Sequence, residues 1–269
     1  MFTSLFHAVV YDPLYNGLVY LVDVVPTHDM GIAIVILTIV VRIILFPLSR
    51  QAIRTQMAMK AIAPDIEAIK AKYKDKQDEQ AKAIFALYKE RGIRPFSSFF
   101  LILIQFPILL GLYWVFGRGG LPHVNPDLLY SFVPTPSMFN MEFLGLIDMG
   151  HRNILLAACA GLTQLIYARL SMGPRNKMAT SPVEQSFSGD MAKSFDLQAR
   201  YILPLIVTGI AYTVSAAVPL YWTTSNLFMI LQEFVMGRRF SDTGLRLPAG
   251  TPNSPEMLVE TVREISGKS

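Results

Sequence analysis

The stretch MGIAIVILTIVVRIILFPLSR, Met30 to Arg50, decides the fold. From Gly31 to Leu48 every residue is apolar or small except Thr38 and Arg42. A helix rises about 1.5 Å per residue, so this run matches a hydrocarbon core roughly 30 Å thick. It reads as one span, residues 30–50, with Arg42 past its middle and the polar end still about two turns away. A guanidinium at that depth costs from about 2.5 to about 10 kcal/mol or more. Snorkelling lowers the cost mainly near helix ends. Arg42 is therefore expected to face water or a polar partner inside the bilayer, rather than only to mark the cytoplasmic border.

The rest of the chain suits a polytopic membrane protein. Of 269 residues, 52% are hydrophobic and 16% charged, and mean hydropathy is +0.39; a soluble domain is more polar. The net charge of +4 is informative only through its distribution. The single cysteine, Cys159, excludes an internal disulfide and a Cys-rich zinc site. The start, MFTSLFHAVV, has no basic n-region, no small-residue cleavage site and no transit-peptide arginines. No secretory signal is expected, and a bacterial plasma membrane is the simplest location.

Residues 1–29 contain no Lys or Arg but carry Asp12, Asp23 and Asp29. Leu14, Leu18, Leu21, Val22 and Val25 share a helical face, bracketed by Pro13 and Pro26. This predicts an amphipathic segment lying on the outer membrane surface. From Arg50 to Arg94 there are eleven cations against six acids, which holds residues 51–95 in the cytoplasm. Two apolar stripes, Ile62-Ile66-Ile69-Tyr73 and Ala81-Ile84-Phe85-Tyr88, predict an antiparallel helical hairpin that turns near Lys74-Asp75-Lys76. Pro64 suits the first turn of its first helix, Asp78 and Lys82 can pair, and Gly92 and Pro95 end the second helix.

Residues 96–117 form a second span with Gln105 and Pro107 inside it. Residues 118–152 form an outside loop whose only Lys/Arg cations are Arg118 and Arg152. Residues 153–170 form a third span containing Gln164, and 171–200 return to the cytoplasm. Tyr201 to Met236 is too long for one span; Pro219 is expected to divide it into spans 201–217 and 218–237. Arg238 and Arg239 begin a cytoplasmic tail, 238–269, expected to be disordered apart from a helical pattern near Met257 to Ile265. The expected fold is all-α: five transmembrane helices, a cytoplasmic helical hairpin and an N-terminal interfacial helix, with the N-terminus outside and the C-terminus inside. No internal repeat is evident.

No catalytic chemistry suggests itself. Gly267-Lys268-Ser269 lacks the earlier glycine of a phosphate loop, since position 262 is Val262. The histidines are scattered, no Gly-x-Ser-x-Gly elbow occurs, and Ser188-Gly189-Asp190 has no second intramembrane acid. No cofactor, metal or enzymatic activity is expected. What remains is polarity within the spans. Thr38 and Arg42 share a face of the first span; Gln105 and Gln164 lie in the second and third; Thr223, Thr224, Ser225 and Asn226 follow Tyr221 and Trp222 on the fifth. Each alone reads as helix–helix glue. Together they outline a polar cavity with a cation and no spanning carboxylate, which should attract carboxylates from another molecule. A small-solute channel or transporter is the alternative, but it calls for a coupling acid. An intramembrane hydrolase calls for a nucleophile or an acid pair.

Three stretches resemble the YidC/Oxa family of membrane protein insertases: IVILTIVVRIILFPLSRQAIRTQMAMKAIAPDIEAIKAKYK (34–74), ALYKERGIRPFSSFFLILIQFPILLGLYWVF (86–116) and PLYWTTSNLFMILQE (219–233). FLGLIDM (143–149) is a weaker match in the outside loop. The chain departs from the family pattern at Arg94, Ser97-Ser98-Phe99-Phe100, Val218 and Glu233. The resemblance implies five helices around a hydrophilic groove, open to cytoplasm and lipid and closed outside. Arg42 would draw in the acidic external tail of an incoming protein. The groove residues would be Arg42, Thr38, Gln105, Gln164, Tyr221, Trp222, Ser225 and Asn226. Implied partners are nascent membrane proteins, the ribosome, targeting machinery, the Sec translocon, which such a chaperone would assist, and the lipid bilayer. No nucleic-acid site is evident.

Overall fold

The computed structural model describes residues 2–73, 76–93, 97–117, 121, 123–136, 138–172 and 197–242. Most of the expected cytoplasmic loop 171–200, and the expected tail beyond 242, lie outside these residues. The chain divides into two compact units, Met1–Leu231 and Gln232–Ser269. It is mostly helical, in keeping with an all-α membrane protein.

The N-terminal region begins with α1 (Phe2–Phe6), passes through a π-turn at His7–Tyr11 and enters α2 (Asp12–Val24). Pro13 lies in the first turn of α2, where its missing N–H needs no partner, so the helical course runs through it. α2 buries two faces rather than one: Leu14, Leu18 and Val22, and beside them Tyr15 and Val19. The expected surface-lying segment is thus part of the main core. Asn16, only 2% exposed, explains why a polar residue is tolerated there. Its side chain donates to the Leu128 carbonyl at 2.9 Å and accepts from the Tyr130 N–H at 2.7 Å. The Asn125 N–H donates to the Tyr15 hydroxyl at 2.8 Å. These bonds hold the 125–130 loop over the helix and leave few of its polar groups unpaired.

α3 (Met30–Ile44) is N-capped by Asp29, whose Oδ1 accepts from the Ile32 N–H at 3.0 Å. It stops at Leu45, and α4 (Phe46–Ala61) leaves at 64°. The apolar run 30–50, read as one span, is thus built from two helices and not one. Pro47 has no N–H for the Ile43 carbonyl, and its ring crowds that carbonyl, so the helix breaks and restarts. α3 alone measures about 22 Å, and Arg42 lies in its last turn. α4 was not anticipated as a separate element. It packs against α7 (Ser97–Gly117) and touches α8 (Ile154–Met172), where Ser171 Oγ donates to Gln56 Oε1 at 2.8 Å.

α5 (Ala63–Lys72), with Pro64 in its first turn, and α6 (Gln77–Glu90) pack together. Their ion pairs are Lys76–Glu79 at 2.9 Å and Arg91–Asp65 at 3.4 Å, in place of the expected Asp78–Lys82. α6 ends in a Schellman motif. The Ile93 N–H donates to the Tyr88 carbonyl at 2.8 Å and the Gly92 N–H to that of Lys89 at 3.2 Å, with Gly92 at φ +63°.

The 121–153 region adds a 3₁₀ turn (Pro126–Leu128) and a small antiparallel hairpin, β1 (Glu142–Phe143) and β2 (Ile147–Asp148). This ribbon of two-residue strands is a small addition to an otherwise helical chain. Glu142 faces Asp148, Phe143 faces Ile147, and the turn residues Leu144 and Gly145 both have positive φ. The ribbon persists because one end is tied to the start of α3 and the other to the 214–216 turn. The Met30 N–H donates to the Asn140 carbonyl at 2.9 Å, and the Ala216 N–H to that of His151 at 2.7 Å.

Among the described residues, α8 is the one helix that is unbroken, long and apolar enough to cross a membrane. α9 (Leu203–Thr213) follows a π-turn at Gln198–Ile202 and packs along α8 through Ala157, Ala160, Val207 and Ala211. α10 (Ala217–Asp242) follows. The break between α9 and α10 lies at Val214–Ala216, not at Pro219. Proline is well accommodated in a first turn, so Pro219 sits inside the start of α10. α10 also runs past the expected boundary at 237. The main core of the first unit joins α2, α3, α7 and the start of α10, with Tyr15, Leu18, Met30, Ile34, Leu112 and Tyr221 fully or nearly fully buried.

Candidate functional site

Four helices supply the polar side chains. α3 brings Thr38 and Arg42, α7 brings Gln105, α8 brings Gln164, and α10 brings the rest. On α10, Tyr221 and Ser225 are one turn apart; so are Trp222 and Asn226, about 100° further round the helix. These adjacent ridges meet different neighbours.

The first ridge meets Arg42. The guanidinium Nε donates to Ser225 Oγ at 2.8 Å, and Nη2 donates to Gln105 Oε1 at 2.7 Å and also to Ser225 Oγ. Gln105 Nε2 in turn donates to the Tyr221 hydroxyl at 3.2 Å. The second ridge meets α8. Trp222 Nε1 donates to Gln164 Oε1 at 3.3 Å, and Asn226 Nδ2 to Thr163 Oγ1 at 3.3 Å. The predicted residues thus form two networks rather than one. Thr38 joins neither, because its hydroxyl donates to the Ile34 carbonyl of its own helix at 2.6 Å. It instead lines a small cavity with Leu14, Leu18, Ile34, Leu112 and Tyr221.

Of the two surroundings expected for Arg42, water or a polar partner, the structure supplies the second. The residue is 6% exposed, and the cavity next to Thr38 and Tyr221 is lined almost wholly by apolar side chains. Neutral acceptors on α7 and α10 take the place of water. Among the described residues no carboxylate lies within ion-pair distance of Arg42. Burying a cation costs several kcal/mol, and hydrogen bonds to a charged group contribute about 1.5–3 kcal/mol each. Ser225 and Gln105 therefore offset the burial without neutralising the charge. An anion reaching this point would meet a cation already stripped of water, where Coulomb attraction is far stronger than in bulk solvent. The described residues contain no group of three or more His, Cys, Asp or Glu side chains that could hold a metal.

Two contributors escaped the sequence reading. Thr163 is adjacent to Gln164 on α8, but its hydroxyl also bonds the Cys159 carbonyl at 2.8 Å, which gives no outward sign of a role. Asp29, read only as an outside charge, is 2% exposed and joins two elements. Its Oδ1 caps α3, and its Oδ2 accepts from the Leu144 N–H at 2.7 Å. The signal available was an Asp immediately before an apolar run.

A family model described as 60Kd inner membrane protein matches residues 21–243. Membrane protein insertase YidC of Clostridium tetani is 28% identical over 210 residues, covering 78% of this chain and 82% of that protein. Membrane protein insertase YidC of Oceanobacillus iheyensis is 26% identical over 212 residues, covering 77% and 74%. Membrane protein insertase MisCA of Bacillus subtilis is 27% identical over 214 residues, covering 77% and 70%.

Proposed function

The chain belongs to the YidC/Oxa family of membrane protein insertases, and from that premise we propose that it inserts apolar segments of other proteins into a bacterial inner membrane, with Arg42 as the receiving charge. The observation that carries the role of Arg42 is its burial among neutral acceptors, Ser225 and Gln105. The acidic external tail of a client offers a better partner. An ion pair with charge-assisted hydrogen bonds is stronger than bonds to a hydroxyl and an amide. The carboxylate displaces Ser225 and Gln105, and the groove that receives the client opens between α3 and α10. The client's apolar segment then moves past Tyr221 and Trp222 into lipid, driven by burial of apolar surface.

In this reading five helices span: α3 with the start of α4, then α7, α8, α9 and α10. The basic 51–95 segment lies in the cytoplasm, residues 1–29 and 118–152 lie outside, and the C-terminus lies inside. The α5–α6 hairpin receives clients from the ribosome or targeting machinery. The same surfaces let the protein act as a chaperone beside the Sec translocon. No bond is made or broken, so the work is that of a catalyst of transfer and not an enzyme.

The test is reconstitution in liposomes with a single-spanning client whose external tail is acidic or neutralised. Wild-type protein should insert the acidic form, and Arg42→Glu should lose most of that activity. Equal insertion by the two proteins would overturn the role given to Arg42. Flux of small solutes without insertion would favour a channel instead.

A further inference from the structure

Leu144 has φ +54°, a left-handed conformation that is strained for a leucine. With Gly145 at φ +69° it forms the centre of the tight turn between β1 and β2, a place where asparagine is favoured before glycine. The strained side chain packs little of itself inside its own chain: Leu144 is 62% exposed, and Leu146 just past the turn is 84% exposed. A local preference overridden for no internal gain points to a role outside the chain.

The turn is also held in place. The Leu144 N–H donates to the buried Asp29 carboxylate that caps α3. Phe143 lies so close over Gly31 that any side chain at position 31 would collide with it. These contacts fix Leu144 and Leu146 beside the first turn of α3, where the apolar run from Gly31 begins. On the five-span reading above, on which this inference rests, that level is the outer edge of the hydrocarbon. Polarity along the ribbon follows the same direction. Glu142 and Asp148 face each other at its base, whereas Phe143 to Ile147 at its tip contain no side chain that can hydrogen-bond. Two leucine side chains are too small a patch for a specific protein interface, but they suit partitioning into lipid.

We propose that the 143–147 tip is a membrane anchor. Leu144 and Leu146 insert into the interfacial zone of the outer leaflet. Through Asp29 and His151 they hold the start of α3 and the α9–α10 turn at a fixed depth.

The chain has one cysteine, so Cys159→Ala gives a clean background for spin labels on the full-length protein in proteoliposomes. Labels are placed by Leu146→Cys, by Leu144→Cys as a second tip site, by Ile39→Cys on α3 and by Glu142→Cys at the ribbon base. Accessibility to oxygen and to a water-soluble nickel chelate reports depth. The expected result is oxygen-dominated relaxation at 39, 144 and 146 and nickel-dominated relaxation at 142. Nickel-dominated relaxation at both tip sites, with 39 still in lipid, would overturn the anchor and leave the spans intact. A tip shielded from both reagents would mean that protein covers it, and would also overturn the anchor. Water access at 39 would overturn the span reading and the anchor together.

Discussion

Replacing Arg42 by methionine should make the protein more stable and less active. The side chain is 6% exposed and is held by Ser225 and Gln105 alone among the acceptors described. Removing a buried ion recovers a desolvation cost of several kcal/mol and gives up the hydrogen bonds to two acceptor residues, at about 1.5–3 kcal/mol per bond. One acceptor, Gln105 Oε1, loses its donor. Gln105 Nε2 keeps the Tyr221 hydroxyl, and Ser225 can donate to the carbonyl one turn back, as Thr224 does to Leu220 at 2.9 Å. Methionine is unbranched and fills an irregular space well. Apolar replacement of buried ionic groups is often neutral or stabilising by about 1–4 kcal/mol. At about 2–4 °C per kcal/mol for a domain near this size, Tm of the detergent-solubilised protein should rise by up to roughly 16 °C. Insertion of an acidic-tailed client into liposomes should fall in the same variant. A lower Tm with insertion unchanged would refute the reasoning, because Arg42 would then be a structural keystone and not a receptor.

Asp29→Ala removes both the cap of α3 and the acceptor for the Leu144 N–H, and should cost about 2–4 kcal/mol in thermal or denaturant unfolding. Asp29→Asn keeps one acceptor oxygen and should cost about half as much; identical melts for Ala and wild type would discount the clasp. Gly161→Val drives a side chain into Thr208 and should force α8 and α9 apart at about 1–3 kcal/mol, visible as a lower Tm that Thr208→Ala partly restores. At Asp148 burial pushes the carboxyl pKa up, but the Gly150 N–H and the His151 side chain at 2.8 Å outweigh it, so the net shift is downward. A depressed carboxylate stabilises at neutral pH, and that contribution is lost as pH falls below the ordinary carboxylate value, about 3.9. Amide exchange in the 142–150 hairpin should therefore accelerate below about pH 4, and Asp148→Asn should abolish that acid limb.

Much of the helical layout was readable because apolar periodicity is local. Ile62, Ile66 and Ile69 mark α5, and Ile84, Phe85 and Tyr88 mark α6, without reference to the rest of the molecule. The misreadings come from residues whose effect depends on position within an element. Pro47 inside an apolar run broke a helix, whereas Pro13 and Pro219, each in a first turn, broke nothing. The α9–α10 break falls on Val214-Ser215-Ala216, which carry no usual turn chemistry. It is set by backbone bonds from Ala216 and Ala217 to His151 and Met149, sixty-odd residues away in sequence and invisible to any local pattern. The hairpin went unread for a related reason, since Leu144-Gly145 lacks the asparagine that advertises such a turn. At the candidate site the polar residues were legible as a set. Their division into two networks was not, because it depends on which neighbour each ridge of α10 faces.

That division bears on how a buried Arg42 can still receive a client. The 222/226 ridge is bound to α8, and the 221/225 ridge to α3 and α7. On the proposed function, a client carboxylate must replace Ser225 and Gln105 at the guanidinium. It can do so while Trp222 and Asn226 keep their bonds to Gln164 and Thr163. The bundle then parts along one seam, between α3 with α7 on one side and α8 with α10 on the other, and does not come apart as a whole. Neutral acceptors favour this exchange. An internal aspartate at position 225 would form a strong ion pair with Arg42, and every incoming carboxylate would have to compete with it. Serine leaves the cation satisfied enough to fold and unneutralised enough to prefer a guest.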